Sequence, residues 1–280
     1  MIEDVIDVLA CARCGRDVLV DERTVRCPAG HSFDIAREGY VSMLVGDPHT
    51  GTGDTSDMVH ARAAFLGAGH YEPLAEAVAG AAARHARSAP GAVVELGAGT
   101  GYFLARSLEA IPERVGLALD VSKHALRRAA RAHPRIGAVA CDVWQPLPVK
   151  SRTAGVVLDV FSPRNPTETR RVLQDEGALV VATPGSRHLL ELVGPLGLLD
   201  VDPDKESRLQ AALDPFFMPV RSETCEFTQS LSHDDVANLA GMGPSAHHLD
   251  AARIDRAIAV LPQPVAVTAS ATVATYVPRL

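Results

Sequence analysis

The sequence predicts a doubly wound α/β domain preceded by a small metal-binding block. Three observations carry that expectation. From residue 90 onward, short apolar stretches alternate with helical ones, the rhythm of a parallel sheet covered on both faces. Gly97, Gly99 and Gly101 fall where the first of those strands passes into the first helix. Cys11, Cys14 and Cys27, three of the five cysteines, lie near His31 at the start of the chain.

With 280 residues, 47% of them hydrophobic and 22% charged, the chain can bury a full core and is not a disordered polymer. No apolar run approaches the roughly 20 residues of a membrane span, and no membrane partner is expected. The opening Met-Ile-Glu-Asp is acidic where a secretion signal carries basic residues, so the expected location is the cytoplasm. The net charge of −7 argues against indiscriminate nucleic-acid binding and leaves room for a local basic groove. Of 27 basic residues only Lys123, Lys150 and Lys205 are lysines.

The first block, residues 1–45, contains Cys11-Ala12-Arg13-Cys14 and, after twelve residues, Cys27-Pro28-Ala29-Gly30-His31. Two closely spaced pairs of soft or borderline donors make a closed tetrahedral zinc site. Residues 18–20 and 24–26 read as a hairpin that brings the pairs together, and Gly15 and Gly30 provide the turns. Four protein ligands leave no open position, so Cys11, Cys14, Cys27 and His31 are expected to hold a structural zinc. The block has five basic and nine acidic residues in positions 1–50, which suits phosphate contact poorly across its whole surface.

Turn formers at 46–53 mark a boundary, and residues 46–89 form a linker with bridging helices, broken at Gly67-Ala68-Gly69. The α/β part, 90–280, begins with a strand at 92–96, a helix from 102, a strand at 115–119, a helix over 122–133 and a strand at 138–141. It continues with a strand at 156–160, a helix from 167, a strand at 179–182 and a helix from 187. Segments 225–229 and 265–273 alternate, as expected of late antiparallel strands.

The first strand and its loop read Glu95-Leu96-Gly97-Ala98-Gly99-Thr100-Gly101. The glycines allow close approach of a ligand to the backbone and to the N-terminus of the next helix. A dinucleotide fingerprint starting at Gly97 needs glycine at 102, where this chain has Tyr102. The pattern is instead that of S-adenosylmethionine-dependent methyltransferases. Asp120 ends the second strand, placed for ribose hydroxyls; Asp142 ends the third, placed for adenine beside Val143 and Trp144. The fourth strand leaves through Asp159-Val160-Phe161-Ser162, where such folds line the acceptor pocket. Phe161 and Trp144 are the nearest aromatic candidates to hold a flat base, although each taken alone reads as core. Asp159 and Asp142 are the acids nearest a general-base position, and neither is assigned that role. Lys123, Arg127, Arg131 and Arg135 predict one basic helical stripe, with Arg128 beside it; Arg13, Arg16 and Arg26 near the zinc are rivals for phosphate contact.

Taken together, these stretches resemble the zinc-containing 23S rRNA guanine-N1 methyltransferases, in particular the actinobacterial branch of tylosin- and mycinamicin-type macrolide-resistance enzymes. The resemblance rests on Cys11 to Cys14, CPAGHSFDIAREGY from Cys27, ARAAFLGAGHYEPL up to Leu74, ELGAGTGY, Leu119 to Lys123, ATPGSRHL up to Leu189, and Met242-Gly243-Pro244-Ser245. It implies a Rossmann-like class I S-adenosylmethionine-dependent methyltransferase with an N-terminal zinc-binding domain. It further implies that Tyr71, Gly99, Thr100 and His188 contact S-adenosylmethionine; they join Glu95, Gly97, Gly101, Asp120 and Asp142, which the loop pattern and the strand ends already mark as donor-binding positions. A homodimer acting on a 23S rRNA hairpin and protecting the ribosome from macrolides is part of the same implication. A small-molecule methyltransferase and a non-catalytic zinc-containing RNA-binding protein remain the alternatives.

Overall fold

The computed structural model describes residues 1–280 apart from 47, 50–52, 200–201, 203, 248–249 and 280. Part of the expected boundary loop at 46–53 therefore lies outside the described residues. A 3-10 helix, Glu3–Val8, opens the chain, followed by β1 (Leu19–Asp21), β2 (Thr24–Arg26), β3 (Ser32–Asp34) and β4 (Tyr40–Ser42). The helices α1 (Ser56–Gly67) and α2 (Glu72–Ala86) come next, separated by the expected glycine break. Then β5 (Ala92–Leu96), α3 (Tyr102–Ala110), β6 (Gly116–Asp120), α4 (Lys123–Ala132), β7 (Ile136–Ala140) and β8 (Ala154–Val160) alternate. The chain ends with α5 (Pro166–Val172), β9 (Leu173–Pro184), α6 (Leu190–Leu196), α7 (Lys205–Leu213), β10 (Phe217–Leu231), α8 (His233–Met242), α9 (Ala251–Ile258) and β11 (Val265–Pro278).

β1 to β3 form a small antiparallel sheet. The large sheet runs β10-β11-β9-β8-β5-β6-β7-β4. Its strands from β4 to β9 pair in parallel, and β11 and β10 add antiparallel. β5, β7 and β8 are buried along their whole length, which is why they read as continuous apolar runs. From β5 the chain steps outward to β6 and β7, then returns to the other side of β5 as β8. Open α/β sheets bind ligands at the strand ends beside such a reversal.

The N-terminal block is not a separate core. Val5, Leu9, Val25, Phe33, Val41 and Met43 pack in one cluster with Val94, Leu96, Leu117, Leu119 and Val139 of the large sheet. β4 pairs with β7 as the sheet's edge, and a Cβ added at Gly137 would lie 2.3 Å from Val5 Cγ2. Each fully buried aliphatic here contributes about 1.5–3 kcal/mol, so the sheet supplies the core that the block lacks alone. The opposite face carries α2, α3 and α4, among others, through Leu74, Val78, Leu104, Leu108 and Leu126.

The expected basic helix is shorter than its stripe. α4 ends at Ala132 because Pro134 disfavours helical backbone in the residue before it. Arg135 therefore leaves the stripe: its guanidinium donates to the carbonyls of Leu108, Ile111 and Arg114, closing the C-terminal end of α3. Trp144 and Phe161 are not core residues either, being 54% and 37% exposed.

Candidate active site and metal centre

The glycine loop is shaped by its surroundings. Gly97, Gly99 and Gly101 have φ of +61°, +52° and +77°, in the left-handed region that favours glycine. A Cβ on Gly97 would stand 2.6 Å from Ser162 Cβ, and one on Gly101 would stand 3.0 Å from Ala129 Cα. These glycines thus let the β8 exit and α4 pack directly onto the loop. Beneath it, buried Glu95 accepts a hydrogen bond from the Leu104 N–H at 3.1 Å, fixing α3. Burial pushes the Glu95 carboxyl well above the ordinary glutamate value, with Asp120 and Asp159 adding to the rise.

Asp120 accepts from the Gly99 and Ser122 N–H groups, each at 2.7 Å. Burial raises its carboxyl despite those two donors. Asp142 accepts from the Trp144 N–H at 2.9 Å and from both the N–H and the Nδ1 of His49, also at 2.9 Å. Against the upward push of burial, the donors from His49 and Trp144 hold Asp142 below the ordinary aspartate value.

Gly97, Gly99, Asp120, Asp142, Trp144 and Phe161 line a cleft of about 690 Å³. A second cavity of about 470 Å³ is lined by Tyr71, Phe161, His188, Leu239 and Met242. Arg62, Phe161 and Leu199 line both, so the two form one trough across the strand ends. Glu95, Thr100 and Gly101 line neither and lie behind its wall. Asp159, one of the two acids nearest a general-base position in the sequence, is buried under the floor, accepting from the Ser162 hydroxyl at 3.1 Å and facing Arg164 Nε at 3.4 Å.

In the second cavity, His188 Nδ1 accepts from the Ser270 N–H at 3.2 Å, and its Nε2 lies 3.4 Å from Tyr71 Oη. That backbone donor leaves the proton of a neutral ring on Nε2, so the ring presents a hydrogen-bond donor toward Tyr71 Oη. Burial pushes the Tyr71 phenol upward, keeping it neutral. The Phe161 ring stands 5.7 Å from that of His188. Phe161 has φ of +53°, a strained conformation for a bulky residue of the kind that collects at ligand sites.

Arg62 joins the two halves. Its Nε donates to Asp54 at 2.9 Å and its Nη2 to the Met242 carbonyl at 2.8 Å. The Ser245 hydroxyl accepts from the Leu199 N–H at 3.1 Å. Sequence reading singled out neither Arg62 nor His49. Arg62 lies inside a quoted stretch, but nothing local marks it, because its Met242 partner is 180 positions away.

At the other end of the N-terminal block, one ligand atom from each of Cys11, Cys14, Cys27 and His31 lies within 4.8 Å of all the others. Cys14 and Cys27 sulfurs are 3.8 Å apart, and His31 Nδ1 is 3.5 Å from Cys11 Sγ and 3.4 Å from Cys27 Sγ. A tetrahedron with Zn–S of about 2.3 Å has edges of about 3.8 Å, so the four fit a zinc ion. Desolvation works against a Cys27 thiolate, but the His31 and Ala29 N–H groups and the neighbouring thiols prevail and bring it down to about 6.

Comparison with known proteins agrees with this geometry. Residues 9–46 match the zinc-ribbon family described as "RlmA, N-terminal". A Micromonospora griseorubida protein assigned as a 23S rRNA (guanine-N(1)-)-methyltransferase is 49% identical over 99% of this chain and 100% of its own length. The chain belongs to the 23S rRNA guanine-N1 methyltransferase family. Another member, the 23S rRNA (guanine(748)-N(1))-methyltransferase of Streptomyces fradiae, is 48% identical, with 97% of each chain covered. Among solved structures, the MccD protein aligns over 73% of this chain and 97% of its own, at 15% identity and a TM-score of 0.48. In this family member, no helix among the described residues is long and apolar enough to cross a membrane.

Proposed function

We propose that this protein transfers the methyl group of S-adenosylmethionine to N1 of a guanine in a hairpin of 23S rRNA. The observation that carries the reading is the single trough, with two strand-end carboxylates in one half and a Tyr71–His188–Phe161 wall in the other, in a chain nearly half identical to relatives named for that reaction.

In this reading Asp120 accepts from ribose hydroxyls and Asp142, once released from His49, receives the adenine amino group beside Trp144. Gly97 and Gly99 admit the methionine end toward Arg62 and Tyr71, with His188 beside them. Zinc, held by Cys11, Cys14, Cys27 and His31, has a structural role. Guanine N1 faces the Watson–Crick edge, so the base must leave its stack to reach the trough. Phe161 and the His188 ring supply flat surfaces for it, and alignment within the trough supplies most of the rate. When bound, S-adenosylmethionine would supply an electrophilic sulfonium methyl; guanine N1 would take that methyl as its own proton passes to solvent water and the S–CH3 bonding pair stays on sulfur, leaving the neutral thioether as the second product. Asp159 is not positioned to take that proton, being engaged by Ser162 and Arg164.

Following the resemblance, we extend the proposal to a homodimer working in the cytoplasm, whose product protects ribosomes from tylosin- and mycinamicin-type macrolides. The test is to offer labelled S-adenosylmethionine with either unmodified 23S rRNA or a panel of phenols and quinones. Label in RNA supports the proposal. Label only in small molecules overturns it in favour of a small-molecule methyltransferase, and donor-independent RNA binding without transfer favours a binding module.

A further inference from the structure

We infer that the cleft between α1 and α4 is the phosphate-binding subsite that holds the RNA backbone beside the target base. The inference rests on the RNA reading above and adds to it the surface that grips the substrate. Ser56, Val59 and His60 from the first turns of α1 face His124, Arg127, Arg128 and Arg131 of α4 across a cleft of about 480 Å³. Its lining contains no carboxylate. Arg127, Arg128 and Arg131 are exposed, and among the described residues none of them is paired with an acid.

That arrangement runs against the rest of the molecule. The chain has 34 acids and 27 lysines and arginines, and Arg84, Arg152, Arg170, Arg187, Arg208 and Arg279 each stand against a carboxylate. A merely solvated helix face in so acidic a chain would be expected to attract acids in the same way. Here α4 buries Ala125, Leu126 and Ala129 against the sheet and presents its arginines together. Arg127 and Arg131, four apart, lie about 5–6 Å from each other along the helix. That is the separation of their Cβ atoms, so the two guanidinium groups rise from one stripe of the helix, and each can bind phosphate oxygens bidentately.

The position fits as well as the charge. Met58 and Arg62 of α1 line the donor half of the trough while Val59 and His60 line this cleft, so the two sites lie on different faces of one helix, about 10 Å thick. On the other side, Asp120 and Val121 line the trough and Ser122 caps α4. A nucleotide strand with one base in the trough can therefore lay its neighbouring phosphates over α1 onto the arginines.

The test uses the full-length, zinc-loaded protein with a 23S rRNA hairpin fragment. The triple variant Arg127→Gln, Arg128→Gln, Arg131→Gln should weaken RNA binding roughly tenfold or more and lower the slope of log K against log salt by about 2–3. Donor affinity and melting temperature should not change, and kcat at saturating RNA should be retained. Replacement of the same three by lysine should restore most of the salt slope. Unchanged RNA affinity and slope in the glutamine variant, with the wild type methylating RNA normally, would overturn the subsite alone. A wild type that neither binds nor methylates RNA would overturn the subsite together with the function on which it rests.

Discussion

Replacing Gly97 and Gly99 separately by alanine should give two different defects. Both glycines have positive φ, and a side chain in that region costs about 1–2 kcal/mol, partly offset by about 0.4–1 kcal/mol from the stiffer unfolded chain. At Gly99 the added Cβ meets only the Arg62 side chain, Cδ at 3.5 Å and Nε at 3.8 Å, ordinary contacts with a flexible side chain. At Gly97 it meets Ser162 Cβ at 2.6 Å, which forces the β8 exit to move and adds about 1–3 kcal/mol of overpacking. At about 2–4 °C per kcal/mol for a domain of this size, Gly97→Ala should melt below Gly99→Ala by roughly 6 °C. Because Ser162 is hydrogen-bonded to Asp159 under the trough, the same shift should weaken donor binding. Gly99→Ala, whose new methyl points toward Arg62, should weaken donor binding with little loss of stability. Scanning calorimetry and titration calorimetry with S-adenosylmethionine read the two effects apart. Equal melting temperatures, or Gly99→Ala as the less stable variant, would refute the packing argument.

Three further outcomes are expected. Asp120→Asn should lower donor affinity about 10- to 100-fold, since a charged hydrogen bond is worth about 1.5–3 kcal/mol and the amide nitrogen would oppose the Gly99 or Ser122 donor; unchanged affinity by titration calorimetry argues against a ribose role. Cys27→Ser, or stripping with a strong chelator, should remove one zinc per chain by elemental analysis and lower the melting temperature in a single transition, because the block shares its core with the large sheet; two independent transitions would contradict that shared core. Glu95 has a folded pKa above its unfolded value, so its contribution is fully present below the ordinary glutamate pKa of about 4.3 and is lost as pH rises through the folded value. Glu95→Gln keeps an acceptor for Leu104, and the wild type should therefore lose stability relative to it with rising pH; a flat difference in melting temperature across pH would count against the buried-acid account.

Much of this architecture is legible in the sequence, for identifiable reasons. β5, β7 and β8 are buried on both faces and so appear as unbroken apolar runs. Cys11, Cys14, Cys27 and His31 lie close in sequence, and a short hairpin closes the site. What escaped depends on distant partners or weak local patterns. β4 has three residues and gains its place only by pairing with β7. The helix expected from 187 is α6, which begins at Leu190, whereas α7, α8 and α9 have no counterpart in the sequence reading. β9 begins at Leu173 rather than near 179 because its first turn of strand is polar. His49 reaches Asp142 across 93 positions, a relation that no local spacing reveals. Arg135 was misread although Pro134 carried the warning. Tyr71 comes from resemblance alone and His188 mainly from it, with weak support from its place after a strand end, and the structure brings them to the same cavity wall.

The central claim is that the trough delivers a methyl group to one atom of one base in ribosomal RNA. The most direct test is to methylate unmodified 23S rRNA with labelled donor, digest it to nucleosides and identify the labelled product by mass spectrometry. The account predicts label in 1-methylguanosine, from a single hairpin position, lost in the Asp120→Asn variant. Label in any other nucleoside, or none in RNA from a protein that still binds the donor, would contradict it.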